Sequence, residues 1–311
     1  MSRAVPTVAY QGEPGAFSEA ALLRLLTDGI VPTPRYSFRE VVESVASGSA
    51  DLGLLPVENS LAGTVSLAWD ALADASLEVL AETVHPIRLF VLGTPGATLA
   101  GVRRVLSHPV ALAQCTRFLR DHPTIEAIAV HDTAGAARMV AEGGRTDAAA
   151  VAGPEAGSRY GLETLECDVQ DRADNRTRFL LVGPAGAAAP LRRRHDTRKT
   201  ALILELENQP GALLAALAPF ADAGINLAHL ECRPAETPWT YRFFLELEAD
   251  LRDAATAGAI ATVRRGARVL RILGCFVSAA ENAVTTPRRE IRTSTMGRPP
   301  QSTSFRSTRS E

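Results

Sequence analysis

Lysine is almost absent from this sequence of 311 residues, because Lys199 is the only one among 33 lysine and arginine residues. Nearly every positive charge is therefore a guanidinium, which stays ionised and suits forked recognition of carboxylates. The 35 acidic residues leave a formal net charge of −2. This balance excludes a nucleic-acid-binding protein that relies on bulk positive charge. No nucleic-acid partner is predicted, and only local anion sites remain open.

Long hydrophobic runs and paired cysteines are also missing. No stretch of about 18 apolar residues occurs, which predicts no transmembrane helix and no membrane partner. Residues 1–14 lack the apolar core of a secretory signal. The scattered cysteines have no Cys-x-x-Cys spacing, so we predict reduced thiols in a cytoplasmic protein, with neither a disulfide framework nor a zinc site. These cysteines are Cys115, Cys167, Cys232 and Cys275.

Metalloprotease and nucleotide motifs are absent as well. The six histidines form no His-Glu-x-x-His pattern, and no Gly-rich phosphate loop of a common type occurs. We therefore predict chemistry that needs no metal and no nucleotide cofactor. What is present is an ordinary globular composition, 46% hydrophobic and 22% charged. The length corresponds to about two domains.

The first part of the chain alternates strand and helix patterns, which predicts α/β units on mainly parallel sheets. This region spans residues 5–183. The pair His85-Pro86 divides it into lobe 1 (residues 5–84 and 167–183) and lobe 2 (residues 85–166). The predicted strands cover residues 7–11, 51–57, 77–84, 87–92, 102–106, 125–130, 147–152 and 178–182, and the predicted helices cover 17–27, 38–47, 64–73, 110–120, 133–142 and 154–160.

The pattern changes after residue 183. Residues 184–198 are rich in Ala, Gly, Pro and Arg without periodicity, which predicts a solvated linker. Residues 199–277 follow the order βαββαβ, the ferredoxin-like arrangement of an antiparallel sheet with two helices on one face. Such a sheet leaves an edge or a face for a second copy to cover. Residues 278–311 are rich in Ser, Thr, Arg and Pro and are predicted to be a disordered tail.

Four junctions place small polar residues at predicted helix starts, namely residues 14–18, 59–64, 107–109 and 132–134. Helix N-termini present free backbone N–H groups and a partial positive charge, and in two α/β lobes such ends face the cleft between the lobes. Each junction alone fits simple helix capping. Four of them on both lobes favour a small anionic ligand in the cleft.

The segment Asn175–Phe179 leads into the last predicted strand of lobe 1. Arg178 offers a permanently charged fork for a carboxylate, and Thr177 offers a hydroxyl beside it. The alternative is that Arg178 pairs with an internal acid and that Thr177 is an ordinary strand residue. The residues alone leave both interpretations open.

Taken in order, these motifs resemble the monofunctional prephenate dehydratase family with a C-terminal ACT regulatory domain. The resemblance covers nearly all of residues 5–276. Each segment is moderately specific, and their order and spacing together are highly specific. The segments are AYQGEPGAFS (9–18), LPVENSLAGTV (55–65), SHPVALAQC (107–115), NRTRF (175–179), NQPGAL (208–213), GINL (224–227) and ECRP (231–234).

The resemblance implies conversion of prephenate to phenylpyruvate, with loss of carbon dioxide and water, in L-phenylalanine biosynthesis. It implies an α/β fold with a two-lobed catalytic domain like type II periplasmic binding proteins, followed by a ferredoxin-like ACT domain. The resemblance implies that Thr177 is the essential catalytic residue and assists departure of the substrate hydroxyl. It implies that Arg178 binds a carboxylate of the substrate. Because aromatisation drives the reaction, orientation, proton delivery and anion binding suffice. The further substrate-binding residues implied are Ser18, Asn59, Ser60, Thr64, Ser107, Gln114, Thr133, Asn175 and Phe179.

Three positions depart from the pattern of the family. Ala16 stands where Gly-Thr-Phe is usual, and Val110 stands where His-Pro-Gln is common. Cys232 replaces the serine of Glu-Ser-Arg-Pro, and a thiol is a weaker hydrogen-bond donor than a hydroxyl. Neither Thr177 nor Arg178 is affected.

The ACT resemblance implies allosteric control by L-phenylalanine, bound between two ACT domains. It therefore also implies a homodimer or homotetramer formed through the ACT and catalytic domains. The turn into the first ACT helix offers backbone N–H groups for an amino-acid carboxylate. For Glu231 and Arg233 the alternative is a simple surface ion pair. The effector-binding residues implied are Asn208, Pro210, Gly211, Ala212, Leu213, Asn226, Leu227, Glu231 and Arg233.

Three alternatives to this function remain at the level of sequence. One is a non-catalytic amino-acid sensor with a binding-protein-like cleft, against which the intact Thr177 and Arg178 argue. Another is a transcriptional regulator, which would need a helix-turn-helix segment, and residues 1–6 leave no room for one. The third is an arogenate dehydratase, which differs only in the substrate.

Overall fold

The computed structural model describes residues 5–192 and 197–279, which form two β-sheets and the helices packed on them. The strands are β1 (Thr7–Gln11), β2 (Val31–Arg35), β3 (Leu52–Asn59), β4 (Gly63–Thr64), β5 (Glu78–Pro86), β6 (Phe90–Gly93), β7 (Arg104–Ser107), β8 (Glu126–Ala129), β9 (Ala148–Ala152), β10 (Glu163–Glu166), β11 (Arg176–Gly183), β12 (Arg198–Glu205), β13 (Leu227–Pro234), β14 (Tyr241–Leu247) and β15 (Val269–Val277). The helices are α1 (Phe17–Leu25), α2 (Phe38–Ala46), α3 (Ser66–Ala73), α4 (Pro109–Ala113), α5 (Thr116–Asp121), α6 (Thr133–Gly143), α7 (Pro154–Tyr160), α8 (Ala212–Asp222) and α9 (Ala254–Gly266).

The larger sheet runs through both regions of the chain. Its strand order is β13-β14-β12-β15-β5-β11-β3-β1-β2, with β4 paired to β3. Strands β1, β2 and β3 are parallel, whereas β11 lies antiparallel between β3 and β5. The C-terminal unit, which comprises β12 to β15 with α8 and α9, joins this sheet where Val277 of β15 pairs with Ala81 of β5.

The smaller sheet has the order β10-β6-β9-β7-β8 and belongs to lobe 2. Strands β7, β8 and β9 are parallel, and β6 and β10 are antiparallel to their neighbours. The predicted α/β class, with two lobes followed by a βαββαβ unit, is therefore confirmed. The prediction of mainly parallel sheets is wrong, because β11 pairs antiparallel with β3 and β5, and β6 pairs antiparallel with β9 and β10.

The sequence pattern does not predict the two edge strands β2 and β10. Strand β2 contains Pro32 and Pro34, which cannot donate to a hydrogen-bond ladder and are tolerated at an edge. Strand β10 has four residues, and its register with β6 shifts between Thr164 and Glu166. Short or interrupted edge strands lack the regular alternation on which a sequence-based assignment depends.

The helix predicted over residues 110–120 is two helices, α4 and α5. The carboxylate of Asp171 accepts hydrogen bonds from the backbone N–H groups of Thr116 and Arg117, both at 2.9 Å. The backbone N–H of Asp171 donates to the carbonyl oxygen of Gln114 at 2.6 Å. This carboxylate satisfies the first N–H groups of α5 as a capping side chain does. The break leaves Gln114 at the C-terminal end of α4, where its side chain turns toward lobe 1.

The open face of the C-terminal sheet packs on α3 of lobe 1. Trp69 is 1% exposed, and its ring stacks on His229 of β13 with the centroids 5.1 Å apart. The same indole lies 5.3 Å from the ring of Phe244 on β14. The sequence analysis expects a second copy of the protein to cover a face or an edge of this sheet. In the structure, helix α3 of the same chain covers the face. Strand β13 ends the sheet within the described residues.

The segment predicted as a solvated linker is partly ordered. The backbone N–H of Thr27 donates to the carbonyl of Pro190 at 2.8 Å, and Leu26 and Leu191 form an isolated β-bridge. Residues 190–192 thus pack along the C-terminal end of α1, and residues 193–196 lie outside the described residues.

The predicted tail begins with two ordered residues. The Ser278 hydroxyl and the Ala279 backbone N–H both donate to Oε1 of Glu82, at 3.0 and 2.9 Å. Residues 280–311, the rest of the predicted disordered tail, lie outside the described residues. None of the helices in the described ranges is long and apolar enough to cross a membrane.

Candidate active site

Thr177 lies at the centre of a row of three side chains on neighbouring strands. In the strand register, Thr177 of β11 is paired with Asn59 of β3 on one side and with His85 of β5 on the other. Directly opposed residues of antiparallel strands project from the same face of the sheet. The three side chains therefore share the face that looks toward lobe 2.

A chain of hydrogen bonds connects this row to lobe 2. The Asn59 Nδ2 amide donates to Thr177 Oγ1 at 3.0 Å and to Asn175 Oδ1 at 2.9 Å. The Asn175 Nδ2 amide in turn donates to Gln114 Oε1 at 2.8 Å. The structure thus brings together four of the predicted site residues, from both lobes.

The turn after β3 fixes the orientation of the Asn59 amide. Its Oδ1 accepts hydrogen bonds from the backbone N–H groups of Leu61 and Ala62, at 3.0 and 2.9 Å. The amide nitrogen must then face Thr177, so the Thr177 oxygen acts as an acceptor toward Asn59. The hydroxyl hydrogen of Thr177 remains available for donation to another group.

Two predicted serines use their hydroxyls within the protein. Ser60 Oγ donates to the carbonyl of Asp174 at 3.1 Å and accepts from the backbone N–H of Arg176 at 2.9 Å. Ser107 is fully buried, and its hydroxyl donates to the carbonyl of Val151 at 2.5 Å. Ser60 thus ties the turn after β3 to the start of β11, and Ser107 joins β7 to β9.

The remaining predicted substrate residues lie at several depths. Ser18 is buried in the first turn of α1, and Phe179 is part of the core of lobe 1. Thr133 is half-buried at the first position of α6. Thr64 lies in the short strand β4 and not at a helix start. The helix predicted from residue 64 begins two residues later, at Ser66.

The N-termini of α1 and α7 meet across the cleft without capping side chains. Their N-cap residues, Ala16 and Gly153, provide no side-chain hydrogen bond. A Cβ atom on Gly15 would lie 2.8 Å from Cα of Ala156, and one on Gly153 would lie 2.8 Å from the ring of Phe17. These glycines allow the two helix ends to approach. By contrast, the His108 and Asp132 side chains cap α4 and α6.

Arg178 does not reach this cleft, because consecutive residues of a strand face opposite sides of the sheet. Its guanidinium pairs with Glu58 at 3.1 Å, with Glu82 at 3.2 Å and with Glu246 of β14 at 2.8 Å. Burial by itself would lower the pKa of Arg178, but the charges of Glu246 and Glu82 outweigh burial and raise it. The described residues thus show the internal pairing that the sequence left open.

Lys199 completes what we name the interdomain charge cluster, formed by Glu58, Glu82, Arg178, Lys199 and Glu246. The Lys199 ammonium lies 2.9 Å from Glu82 Oε1. Burial favours the neutral form of Glu82, but the charges of Lys199 and Arg178 hold its pKa below the usual value. The cluster joins β5 and β11 of lobe 1 to β12 and β14 of the C-terminal unit.

His85 is a residue of the site that the sequence analysis used only as a lobe boundary. It is 9% exposed, and its Nδ1 atom has no hydrogen-bond partner among the described residues. Burial and the charge of Arg24 lower its pKa to about 4, so the imidazole is neutral at neutral pH. Its place beside Thr177 depends on the pairing of β5 with β11, which no local sequence signal reveals. Among the described residues, no group of three or more His, Cys, Asp and Glu side chains is placed to hold a metal ion.

Comparison with known proteins identifies the family. Residues 8–187 match the family model described as prephenate dehydratase, and residues 200–265 match that of the ACT domain. The chain belongs to the prephenate dehydratase family.

Relatives of known name cover nearly the whole chain. A prephenate dehydratase from Mycolicibacterium gilvum (strain PYR-GCK) is 36% identical over 297 residues, which cover 91% of this chain and 94% of the relative. The solved prephenate dehydratase from Arthrobacter aurescens in complex with L-Phe is 31% identical, with a TM-score of 0.79 over 87% of this chain and 89% of that chain. The structure described as GqqA, a novel type of quorum quenching acylase, is 34% identical, with a TM-score of 0.79 over 88% of this chain and 99% of that chain.

Within the ACT domain, the predicted effector residues fall into three groups. Those of the turn before α8 lie at the surface, half-buried or exposed, and Gly211 begins the helix with a φ of +81°. On β13, Glu231 accepts a hydrogen bond from Ser66 of α3 at 3.1 Å, and Arg233 pairs with Asp70 of α3 at 2.7 Å. These two residues contact the catalytic domain and not each other.

The third group, Asn226 and Leu227, faces the catalytic domain across a cavity. Asn226 Nδ2 donates to Glu248 at 2.8 Å. Asn226 and Leu227 line a cavity of about 760 Å³ that is also lined by Ser60 and Arg176. Two residues predicted to bind an effector therefore border one cavity between the domains together with two residues predicted to bind substrate, Ser60 and Arg178.

Proposed function

We propose that this protein is a prephenate dehydratase, which converts prephenate to phenylpyruvate, carbon dioxide and water. The observation that carries the proposal is the hydrogen bond from Asn59 to Thr177, which leaves the Thr177 hydroxyl hydrogen to donate into the cleft. A donor at this point suits an oxygen that leaves the substrate as water.

The bonding changes of the reaction explain why a single oriented donor is useful. The carbon–carbon bond to the ring carboxylate breaks, and its electron pair enters the ring. The bond to the ring hydroxyl breaks at the same time, and this hydroxyl leaves with an added proton as water. One proton is consumed for each molecule. Because threonine is a poor acid, Thr177 orients or relays a proton that solvent supplies.

The carboxylate of the pyruvyl side chain of prephenate survives the reaction and needs an anion-binding group, and the N-terminus of α1, whose N-cap residue Ala16 provides no side-chain hydrogen bond, is proposed to supply one. Free backbone N–H groups and the helix dipole favour a carboxylate at such ends. Asn175 and Gln114 then hold the two lobes in a closed arrangement around the substrate through their 2.8 Å hydrogen bond. Ser18, Ser60 and Thr133 are proposed to line the same cleft. Arg178 is proposed to hold β11 in place through the interdomain charge cluster instead of binding a carboxylate.

L-phenylalanine is the proposed effector of the ACT domain, and the prephenate dehydratase from Arthrobacter aurescens was solved in complex with L-Phe. The contacts of Glu231 with Ser66 and of Arg233 with Asp70 support a route to the catalytic domain. Helix α3, which carries Ser66 and Asp70, follows the turn that begins at Asn59. A change at β13 would therefore reach the turn that orients Thr177.

A cytoplasmic homodimer or homotetramer completes the proposal. All four cysteines are free thiols, which fits a reducing compartment. The edge strand β13 and the exposed Leu214, Leu230 and Trp239 of the ACT domain offer a surface for a second copy. Light scattering of the purified protein gives the number of copies.

Incubation of the purified protein with prephenate tests the activity. Formation of phenylpyruvate, followed by its absorbance in alkali, is the expected result. A parallel incubation with arogenate, which would give phenylalanine, distinguishes the two substrates. A protein that binds L-phenylalanine but converts neither compound would be a sensor, and the enzymatic proposal would fail.

A further inference from the structure

His85 occupies the position directly opposite Thr177 on the strand next to it. In antiparallel strands, the Cβ atoms of such a pair lie about 4.5–5.5 Å apart on the same face. On the other side of Thr177, Asn59 holds the same relation and makes a 3.0 Å hydrogen bond to the threonine oxygen. A group that binds the Thr177 hydroxyl from the cleft therefore has His85 at its side.

The surroundings of His85 do not use its hydrogen-bonding capacity. The residue is 9% exposed, and Nδ1 is buried without a partner among the described residues. Buried polar atoms are almost always partnered in folded proteins, and an exception at a cleft is often kept for a ligand. The ring of Phe17 lies 6.3 Å from the imidazole at an interplanar angle of 52°. Phe17 begins α1, whose N-terminus is one of the two uncapped ends at the cleft.

The charge state of His85 suits the chemistry of this position. With its pKa lowered to about 4, the imidazole is neutral and keeps one donor and one acceptor nitrogen. A cation here would stabilise the ring carboxylate, which must lose its charge as carbon dioxide forms. Interactions that are stronger with the ground state than with the transition state slow a reaction. A neutral donor can hold the departing hydroxyl without retaining the carboxylate.

We propose that His85 is a catalytic residue of this site and that it hydrogen-bonds the substrate hydroxyl that departs, from the side of Thr177 opposite to Asn59. The inference rests on the proposed dehydratase function and adds to it a residue that none of the sequence motifs contains. Asn59 and His85 then flank Thr177, so the hydroxyl is held between Thr177 and His85.

Two substitutions at one position separate hydrogen bonding from packing. His85→Gln keeps hydrogen-bonding amide atoms in the place of the imidazole, whereas His85→Leu fills a similar volume without polar atoms. We expect His85→Leu to lower kcat/KM for prephenate at least about 10-fold, the effect of losing one hydrogen bond, through kcat more than through KM. His85→Gln is expected to recover most of this loss. The matched control is His122→Gln in lobe 2, where the histidine Nδ1 contacts the carbonyl of Phe118 at 2.9 Å.

A second measurement covers the case in which His85→Leu does not fold. Imidazole resonances of the wild-type protein are assigned by their loss in the glutamine variant and followed during titration with a prephenate analogue whose saturated ring keeps the hydroxyl but cannot become aromatic. The signals of His85 are expected to shift on saturation, whereas those of His122 stay in place.

The outcomes of these experiments are separable. A wild-type protein without turnover of prephenate would remove the proposed function itself. A wild type that turns over prephenate, together with a folded His85→Leu protein of unchanged kcat/KM, would overturn the role of His85 alone. Unshifted His85 resonances at saturating concentrations of the hydroxyl-bearing analogue would do the same.

Discussion

Arg178 and Glu246 belong to different domains, yet Nη1 of the arginine lies 2.9 and 2.8 Å from the two carboxylate oxygens of the glutamate. Both side chains are almost fully buried. Arg178 follows Thr177 directly in β11, so the two residues face opposite sides of one strand. A single strand therefore presents its hydroxyl to the catalytic cleft and its guanidinium to the regulatory domain.

Removing the guanidinium is expected to destabilise the protein strongly. In Arg178→Met, the buried Glu246 loses the cation that it pairs with, and we expect the free energy of unfolding to fall by about 3 kcal/mol. Urea denaturation measures this change. The control is Arg172→Met, which removes a fully exposed pair with Asp174 and should change the free energy of unfolding very little. Equal effects of the two substitutions would contradict the structural role assigned to the cluster.

Removing the Thr177 hydroxyl is expected to abolish most activity without unfolding the protein. Thr177→Val keeps the shape and the β-branch, and Asn59 retains Asn175 Oδ1 and the Arg176 carbonyl as acceptors. We expect kcat to fall about 100-fold or more, the usual effect of losing a proton-transfer group, with a melting temperature close to wild type. Thr177→Ser restores a hydroxyl and should recover part of the rate. Near-normal turnover by a folded valine variant would exclude the proposed role.

The stability of the protein is expected to depend on His85 in acid. The unfolded chain binds a proton at His85 near the ordinary histidine pKa of 6.5, whereas the folded protein resists protonation down to about 4. Stability is therefore fully present above 6.5 and is lost as the pH falls from 6.5 toward 4. The loss at pH 4 amounts to about 3 kcal/mol. Urea denaturation of wild type and His85→Gln across this range isolates the contribution, because carboxylates affect both proteins alike. Parallel pH profiles would contradict it.

Breaking the contact between β13 and α3 is expected to weaken the response to L-phenylalanine. Asp70→Asn removes the charge that Arg233 binds at 2.7 Å, and Asp70 lies outside the proposed catalytic groups. We expect basal kcat/KM to stay within about twofold, while the change in activity at saturating L-phenylalanine shrinks. Coupling between sites requires that the effector favour one of two states, and this contact is a candidate for the difference. Asp222→Asn on the exposed face of α8 is the control. An unchanged response would place the coupling elsewhere.

The site residues that the sequence predicts correctly are those that lie within short local motifs. Asn59, Gln114, Asn175 and Thr177 each stand in a short motif, and the structure joins all four by hydrogen bonds. The assignment of Arg178 to the cleft ignored strand alternation, which by itself indicates that Arg178 faces away from the side of Thr177.

The parts that the sequence did not predict depend on contacts between distant segments. His85 and Thr177 are brought together by the register of β5 and β11. The break between α4 and α5 depends on Asp171, which lies far along the chain. Trp69 covers the ACT sheet only because the two domains pack together. The alternation of residues in β13 gives no information on that packing.

The single lysine of the chain has a consequence for chemical labelling. Lys199 is 5% exposed, and its ammonium is bound by Glu82 at the junction of the two domains. Acylating reagents and lysine-specific proteases thus find one side-chain target, and the folded protein shields it. Modification or cleavage at this residue requires that the ACT domain first separate from the catalytic domain. Its rate therefore reports how often the two domains come apart, and cleavage would divide the chain between them.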